Sequence, residues 1–364
     1  MKIQALLYKN LTKDIVQCTC CAHYCTLKNG EYWKCSIRKN ENGKLMLLSY
    51  GRVFWLNIDP IEKKPLFHFL PWEKVFSFWT AWCNFTCTFC QNWTSSQFKV
   101  NNKEYYNQIS SDYEEALNQV WQELSPEMIV KFCKKNDIRI IAYTYNEPTI
   151  FFEYLRDVSL LAKKEWILTV MVSNGFQSKE FWDEAKNFID AINIDLKWWS
   201  DDFYTKICGW RKEIVLENIK RVNSFENVFL EITTLIIPGE NDSEKDLNEM
   251  ALFIASINKN IPWHISAFHP DWKMLDKEIT PLSTILKAYE IWKKHWLNYI
   301  YAWNVNLLKL EATYCPWCWK ELIKRSGFVG ENVEDLTNKT WICPNCNFQL
   351  AWVWEKEGKF LKEK

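Results

Sequence analysis

The chain has 364 residues, enough for one large domain or two to three smaller ones. Its 45 basic and 45 acidic residues balance, which argues against a polyanion-binding surface and against nucleic acid as a partner. A hydrophobic content of 48% is ordinary for a globular protein, and no apolar run is long enough to span a membrane. The first residues have no signal-peptide core, so we expect a cytoplasmic protein without a membrane partner.

Residues 1–50 form a cysteine-rich segment with few periodic stretches. Four of its cysteines have the spacing C-x2-C-x3-C-x9-C: Cys18, Cys21, Cys25 and Cys35. Clustered cysteines in a long chain of this composition are typical of metal ligands rather than of a disulfide scaffold. Four soft ligands suit either zinc or a second iron–sulfur cluster, and the spacing leaves both open. A cysteine-rich loop without metal is the remaining alternative.

Residues 51–310 alternate strand-like apolar runs with segments of helical periodicity. The runs are Val75–Phe78, Ile138–Tyr143, Ile167–Val172, Ala191–Leu196, Val228–Leu235, His264–Phe268 and the weaker Tyr299–Tyr301. The helical segments are Ser125–Lys135, Thr149–Lys164, Ser178–Asn187, Lys212–Val222, Asp242–Ile257 and Pro281–Lys294. This alternation predicts βαβ units with a parallel sheet. Six or so repeats favour an α/β fold with a partial (β/α)6-type barrel.

A second cysteine group directly follows the first predicted barrel strand. Cys83, Cys87 and Cys90 have the spacing C-x3-C-x2-C. Three thiolates on one loop can bind three irons of a [4Fe–4S] cluster and leave the fourth iron without a protein ligand. An open coordination position is typical of reactive metal sites. A zinc site would need a fourth ligand, and no histidine is close in the sequence.

The third group lies in residues 311–354, which we interpret as a separate zinc-ribbon-like module. Two Cys-Pro-x-Cys knuckles with 24 residues between them supply Cys315, Cys318, Cys343 and Cys346. Four cysteines at this spacing favour a closed, tetrahedral, structural zinc site. Residues 355–364 form a charged tail.

The cluster loop is similar to that of radical S-adenosylmethionine (radical SAM) enzymes, which carry C-x3-C-x2-C with an aromatic residue before the last cysteine, here Phe89. The wider stretch Ile58-Asp-Pro-Ile-Glu-Lys-Lys-Pro-Leu-Phe-His68, followed by Cys83 through Gln91-Asn92-Trp93, resembles the radical SAM member of the AmmeMemoRadiSam system. That family is related to pyruvate formate-lyase activating enzymes. The resemblance covers nearly the whole chain.

The resemblance implies that SAM binds the open iron through its amino and carboxylate groups. One electron from a donor then cleaves SAM into methionine and a 5′-deoxyadenosyl radical. Matching positions near the ends of barrel strands imply five SAM contacts: Glu147, Asn174, Asp195, Lys197 and His264. Glu147 corresponds to a glutamate that holds the SAM ammonium, although Tyr145 and Asn146 stand where relatives carry glycines. No catalytic residue beyond the cluster ligands is assigned.

Three functions remain open at this point. The first is a radical SAM enzyme that abstracts hydrogen from an unknown substrate. The second is an activase that makes a glycyl radical on a partner protein. The third is a non-catalytic zinc-ribbon protein that binds nucleic acid, and the zero net charge counts against it.

Tryptophan and glycine occur in abnormal numbers, 22 and 9 respectively. Average usage would give about 25 glycines. In the repeated C-terminal knuckles, Trp317 and Trp319 correspond to Asn345 and Asn347. Asn and Gly tolerate a left-handed backbone and a bulky side chain does not. Since some genetic codes read UGA as glycine and others as tryptophan, we hypothesise glycine in the native protein at thirteen positions: Trp33, Trp72, Trp79, Trp82, Trp166, Trp198, Trp210, Trp296, Trp303, Trp317, Trp319, Trp341 and Trp352.

Overall fold

The structure is a computed structural model that describes the chain except at residues 33, 100–102, 104–106, 200–203, 210, 306–307, 327–331, 357–358 and 363–364. Trp33, Trp210 and part of the charged tail lie outside the described residues. Within the described residues, no helix is both long and apolar enough to cross a membrane.

The N-terminal segment forms two small antiparallel sheets. Its strands are β1 (Ile3–Gln4), β2 (Tyr8–Asn10), β3 (Ile15–Cys18), β4 (Thr26–Lys28), β5 (Arg38–Glu41) and β6 (Lys44–Leu47). The sheet orders are β2-β3-β4 and β1-β6-β5. Both sheets pack on the rest of the molecule, where the buried Arg38 pairs with Glu153 at 2.6 Å. The Ala22 N–H also donates to the Phe176 carbonyl at 3.1 Å.

The centre of the molecule is an eight-stranded sheet. After the short β7 (Arg52–Val53), the chain enters it with β8 (Trp55–Pro60) and β9 (Lys74–Trp79), and β10 (Gln122–Glu123) pairs with β7 outside it. The remaining sheet strands are β11 (Ile140–Tyr143), β12 (Leu168–Ser173), β13 (Ala191–Asp195), β14 (Phe229–Ile236), β15 (Trp263–Ala267) and β16 (Ile300–Trp303). Their order is β16-β15-β14-β13-β12-β11-β9-β8, with β8 antiparallel and the other seven parallel. The predicted α/β fold with a partial barrel is therefore confirmed, as a mostly parallel sheet whose edge strands β16 and β8 do not pair with each other.

Eight α-helices accompany these strands in the described residues. They are α1 (Trp93–Ser96), α2 (Tyr113–Gln119), α3 (Pro126–Lys135), α4 (Phe152–Lys164), α5 (Lys179–Ala185), α6 (Lys212–Asn223), α7 (Glu244–Ile257) and α8 (Leu282–Lys294). The hydroxyls of Ser125, Ser178 and Ser243 cap α3, α5 and α7 by accepting from backbone N–H groups of the first turn. Buried apolar residues recur at helical spacing, as Val215, Ile219 and Val222 do in α6.

The C-terminal residues form a three-stranded antiparallel sheet and a hairpin. The strands are β17 (Thr313–Tyr314), β18 (Glu321–Ser326), β19 (Asn332–Asp335), β20 (Val353–Lys356) and β21 (Lys359–Lys362). Trp352 and Cys315 share a hydrophobic core with Phe67 and Tyr301. This part of the chain is thus packed against the barrel.

Among the described residues, seven tryptophans have a left-handed backbone, with φ between 46° and 80°: Trp72, Trp82, Trp166, Trp272, Trp296, Trp319 and Trp341. Six of them are among the thirteen positions proposed to carry glycine, and Trp272 is an addition that sequence reasoning missed. This backbone costs a non-glycine residue roughly 1–2 kcal/mol. The geometry supports glycine at these six positions. Trp79, Trp198, Trp303, Trp317 and Trp352 do not have a positive φ, so backbone strain gives no argument there.

Candidate active site

The loop that follows β9 carries the three cysteines of the C-x3-C-x2-C motif. Cys87 is buried, and Cys83 and Cys90 are partly accessible. Lys99 supports the loop by donating from Nζ to the Phe85 carbonyl at 3.0 Å. Burial raises the pKa of Cys83 and of Cys90, so both thiols stay protonated until a metal displaces the proton.

Cys208 lies beside the same loop, a placement that the sequence did not predict. The Cys208 carbonyl accepts from the Thr86 N–H at 3.3 Å. The pKa of Cys87 is raised, mainly by a hydrogen bond with the Cys208 thiol and next by burial. The adjacent Gly209 has a φ of 84°, and a Cβ there would lie 2.8 Å from the Thr86 hydroxyl. The segment around Cys208 therefore fixes the middle of the cluster loop.

The three cysteines open into a solvent-accessible pocket of about 210 Å³. Strand ends of the barrel supply its polar lining: Asn146, Asn174, Asp195, Lys197, Thr233 and Ser266. Parallel strands of a barrel end at one face, and this is why residues distant in sequence meet there. Three of the five predicted SAM contacts, Asn174, Asp195 and Lys197, thus lie together with the cluster cysteines.

Asp195 and Lys197 form an ion pair on the pocket wall. Lys197 Nζ lies 2.9 Å from Asp195 Oδ2. Burial is the largest influence on Lys197 and opposes its charge, but Asp195, Cys87 and Cys208 together raise the pKa of the lysine well above its ordinary value. The pocket therefore offers one fixed cation and one fixed anion next to Cys87.

Asn174 joins the third strand end to the cluster loop. Its Nδ2 donates to Asn84 Oδ1 at 2.8 Å and lies 3.8 Å from Cys83 Sγ. Gly175, with a φ of 74°, makes this turn possible, since a Cβ there would lie 2.8 Å from Ile194. Asn174 is placed to orient any molecule bound at Cys83.

Glu147 does not line the pocket. Its carboxylate is buried and accepts from the Thr149 N–H at 3.0 Å, the Ser173 hydroxyl at 2.9 Å and the Asn174 N–H at 2.9 Å. Burial raises the pKa of Glu147. The contact with the SAM ammonium stays a prediction, and in this structure the carboxylate oxygens hold the Asn174 turn.

His264 is also separated from the pocket. It faces the barrel interior two residues before Ser266, one layer deeper than the pocket, and its Nε2 lies 2.6 Å from Glu231 Oε2. Burial raises the pKa of Glu231 to about 8 and lowers that of His264 well below its usual range. The sequence placed His264 at the beginning of the sixth strand, and it is the second residue of β15. Its contact with SAM stays a prediction.

Asn146, Thr233 and Ser266 line the pocket and were not predicted. Asn146 Nδ2 donates to the Thr80 carbonyl at 2.7 Å, and Asn146 Oδ1 accepts from Ser95. Thr233 and Ser266 could have been found from strand alternation, because inward positions recur every second residue along β14 and β15.

Trp82, directly before Cys83, has a φ of 80° and is fully buried. Its ring packs on Trp121, with the ring centres 4.7 Å apart. A bulky residue in this backbone conformation is a genuine outlier. The cluster loop is therefore one of the places where glycine fits the backbone better than the printed residue.

The four C-terminal cysteines converge on one point. Their sulfurs all lie within 4.8 Å of one another, and the Cys315–Cys346 and Cys318–Cys343 pairs are each 3.5 Å apart. Hydrogen bonds led by that of Asn345 lower the pKa of Cys318 to about 6. These hydrogen bonds therefore favour the thiolate of Cys318, the form that binds metal.

The four N-terminal cysteines also surround one pocket. Cys18, Cys21, Cys25 and Cys35 line it, next to Asn84 of the cluster loop. Among the residues that the structure describes, the C-terminal group is the one set of three or more potential ligands whose atoms lie within 4.8 Å of one another. The N-terminal sulfurs are therefore farther apart than those of the C-terminal site.

Comparison with known proteins identifies the class of protein to which this chain belongs. Residues 77–251 match the radical SAM superfamily. An uncharacterized protein of Methanocaldococcus jannaschii is 37% identical over 343 residues, which cover 93% of this chain and 97% of that protein.

More distant similarity links part of the chain to activating enzymes. The 4-hydroxyphenylacetate decarboxylase activating enzyme of Clostridioides difficile is 27% identical over 38% of this chain and 45% of its own length. The pyruvate formate-lyase 1-activating enzyme of Escherichia coli is 28% identical over 36% of this chain and 56% of its own length. The matches thus span about half of these enzymes. A solved domain of pyruvate-formate lyase-activating enzyme from Bacteroides vulgatus is 21% identical over 44% of this chain and 96% of that domain, with a TM-score of 0.40.

A parallel barrel with three cysteines at the open face is the arrangement of an enzyme that uses an iron–sulfur cluster. The chain belongs to the radical SAM superfamily. Membership makes it an enzyme that uses SAM and a [4Fe–4S] cluster, and a non-catalytic nucleic-acid-binding protein is thereby disfavoured. The more specific resemblance to the AmmeMemoRadiSam member stays a prediction.

Proposed function

We propose that this chain generates a 5′-deoxyadenosyl radical at Cys83, Cys87 and Cys90 and uses it to abstract a hydrogen atom from a substrate. The observation that carries the proposal is the shared pocket of these three thiols with Asn174, Asp195 and Lys197. When bound, the cluster and SAM supply a one-electron cleavage that yields methionine and the radical. An external low-potential donor supplies the electron.

The residues around the pocket fit such a ligand. Three thiols account for three irons, and the partly accessible Cys83 and Cys90 leave room on the pocket side for SAM. SAM carries an ammonium, a carboxylate and a ribose with two hydroxyls. Asp195 is a fixed acceptor, Lys197 a fixed cation, and Asn174 both donates and accepts, so the wall offers a partner for each kind of group.

A second candidate function is that of an activase, whose substrate is a partner protein. The support is the similarity to enzymes whose names describe activation of pyruvate formate-lyase and of a decarboxylase. In this version the hydrogen comes from a glycine of the partner. Addition of a glycyl-radical enzyme should then raise 5′-deoxyadenosine formation and give an EPR doublet on that protein. A small-molecule substrate would give neither result.

We further propose zinc at Cys315, Cys318, Cys343 and Cys346. Zinc–sulfur bonds of about 2.3 Å in a tetrahedron place sulfurs about 3.8 Å apart. The 3.5 Å separations of the two sulfur pairs fit one ion at the centre. The module would then gain folding free energy from the metal, which a sheet of three short strands does not supply alone.

The test is anaerobic reconstitution of three single variants, Cys83→Ala, Cys87→Ala and Cys90→Ala. Each should lose most of the iron bound in the barrel and all 5′-deoxyadenosine formation with SAM and dithionite. Cys133→Ala is the matched control, because Cys133 is buried in α3 away from the pocket. SAM cleavage by reconstituted Cys87→Ala would refute the assignment.

A further inference from the structure

The N-terminal cysteine pocket has no part in the proposed reaction. Cys18 ends β3, and Cys21 forms an isolated bridge with Gln177, which ties the segment to the barrel. Cys25 and Cys35 are partly accessible, whereas Cys18 and Cys21 are buried. Four thiols from one short segment thus face a single small cavity.

The distances between ligand atoms separate two kinds of metal site. Four thiolates on one zinc ion must converge to about 3.8 Å, as the C-terminal sulfurs nearly do. Thiolates that each bind a different iron of a cluster lie farther apart. Within the described residues, neither the N-terminal set nor Cys83, Cys87 and Cys90 forms a group of three within 4.8 Å. The N-terminal set therefore resembles the cluster loop and not the zinc knuckles.

The fifth cysteine of the segment is used differently. Cys20 donates from its sulfur to the Thr149 carbonyl at 2.8 Å and lies 3.4 Å from Arg38 Nη2. Arg38 is itself paired with Glu153. These contacts fix the Cys20 sulfur to the barrel side of the pocket, which leaves four cysteines as ligands.

Asn84 connects this pocket with the cluster loop. It lines the N-terminal pocket, and its carbonyl lies 3.0 Å from His23 Nε2. Asn84 also directly follows Cys83 and accepts from Asn174 through Oδ1. One residue thus forms the wall between the two sets of thiols.

We propose that Cys18, Cys21, Cys25 and Cys35 hold a second [4Fe–4S] cluster, adjacent to the one at Cys83, Cys87 and Cys90. All four irons of the second cluster have a protein ligand, so it binds no SAM and is suited to electron transfer. Cys25 and Cys35 leave one part of this site partly accessible, whereas Asn84 is buried. The adjacency rests on the proposed function of the cluster loop, whereas the second cluster itself does not.

The experiment is metal and sulfide analysis of the anaerobically reconstituted full chain, together with EPR of the reduced protein. The wild type should hold about 8 irons and 8 sulfides per chain. Two adjacent reduced clusters should give a spectrum broadened by spin–spin coupling. Cys25→Ala should lower the iron count to about 4 and leave an uncoupled signal that still changes when SAM is added.

Cys20→Ala is the matched control and should keep about 8 irons, because Cys20 lies in the same pocket without being a ligand. A wild type with about 4 irons and about two zinc ions would overturn the proposal in favour of zinc, without any variant having to fold. About 4 irons that persist in Cys25→Ala would overturn it equally. Failure of the proposed function would look different from failure of the second cluster. The chain would then hold about 8 irons, but its EPR signal would not change when SAM is added.

Discussion

Trp319 and Asn347 occupy equivalent positions in the two C-terminal knuckles and have the same left-handed backbone, with φ of 60° and 61°. The Trp319 N–H donates to the Cys315 carbonyl and the Asn347 N–H to the Cys343 carbonyl, each at 2.9 Å. Asparagine tolerates this conformation and tryptophan does not. The position is therefore one for glycine or asparagine, and the repeat supports glycine at 319.

We predict that the gene carries UGA at most of the thirteen proposed positions, including the six that have a left-handed backbone. Trp93 and Trp263 lie in α1 and β15 without a positive φ and should be encoded by UGG. Sequencing the gene tests which codon stands at each position, and mass spectrometry of the native protein tests whether the residue is glycine or tryptophan. UGG at Trp82, Trp166, Trp296 and Trp319 would end the idea.

Trp166→Gly and Trp296→Gly should each raise the free energy of unfolding of the printed chain by roughly 1–2 kcal/mol. Both residues follow a helix end, and both are highly exposed, at 80% and 76%. At the end of α4 the Trp166 N–H donates to the Lys163 carbonyl and the Ile167 N–H to the Ala162 carbonyl. This is the Schellman arrangement, whose left-handed residue is usually glycine.

The control for this pair is Trp55→Gly, measured by the same denaturant titration. Trp55 is also exposed, at 57%, but lies in strand β8 without a positive φ. Glycine should lower stability there, since it costs conformational entropy in a strand. Equal effects at all three positions would show that removal of an exposed indole, and not the backbone, is responsible.

Glu147→Ala should lower the free energy of unfolding by about 1.5–3 kcal/mol, because the Thr149, Ser173 and Asn174 donors lose a charged acceptor. Asn174→Ala should instead weaken SAM binding about 2- to 10-fold, since Asn174 lines the pocket. Calorimetric titration with SAM measures the affinity, and denaturant unfolding measures the stability, so the two effects are separated. Full stability of Glu147→Ala with a 10- to 150-fold loss of SAM affinity, about 1.5–3 kcal/mol, would restore its predicted role as an ammonium ligand.

Cys318→Ser should remove zinc and open residues 311–354 to proteolysis while the barrel keeps its iron. Trp352 and Cys315 pack against Phe67 and Tyr301, so some loss of overall thermal stability should accompany it. Zinc analysis, iron analysis and limited proteolysis of one preparation measure all three effects. Unaltered proteolysis after complete loss of zinc would contradict a structural role for the metal.

The barrel strands could be predicted because each is a short apolar run between helical patterns. Each of the seven predicted runs overlaps a strand whose ends lie within two residues of the prediction. Strand β8 was missed, since Ile58-Asp-Pro-Ile-Glu reads as a polar turn. Its pairing with β9 depends on the edge of a sheet that exists only after folding.

The sequence by itself determined the chemistry. The spacing of Cys83, Cys87 and Cys90 limits which metals they can bind, and each knuckle, at Cys315 and at Cys343, presents two cysteines through a local turn. These features depend on interactions within a few residues, whereas the meeting of the two knuckles joins residues 25 or more positions apart. Even the anomaly of the tryptophans was visible in composition before any backbone angle was known.

Only the tertiary structure decided which polar side chains meet the cysteines. Asn174 and Asp195 enter the pocket, whereas Glu147 turns to the backbone of the next strand and His264 lies one layer deeper with Glu231. Strand alternation and the height of a residue along the barrel control this difference. A sequence motif fixes the type of side chain near a strand end, but its direction follows from packing and hydrogen bonds with segments distant in the chain.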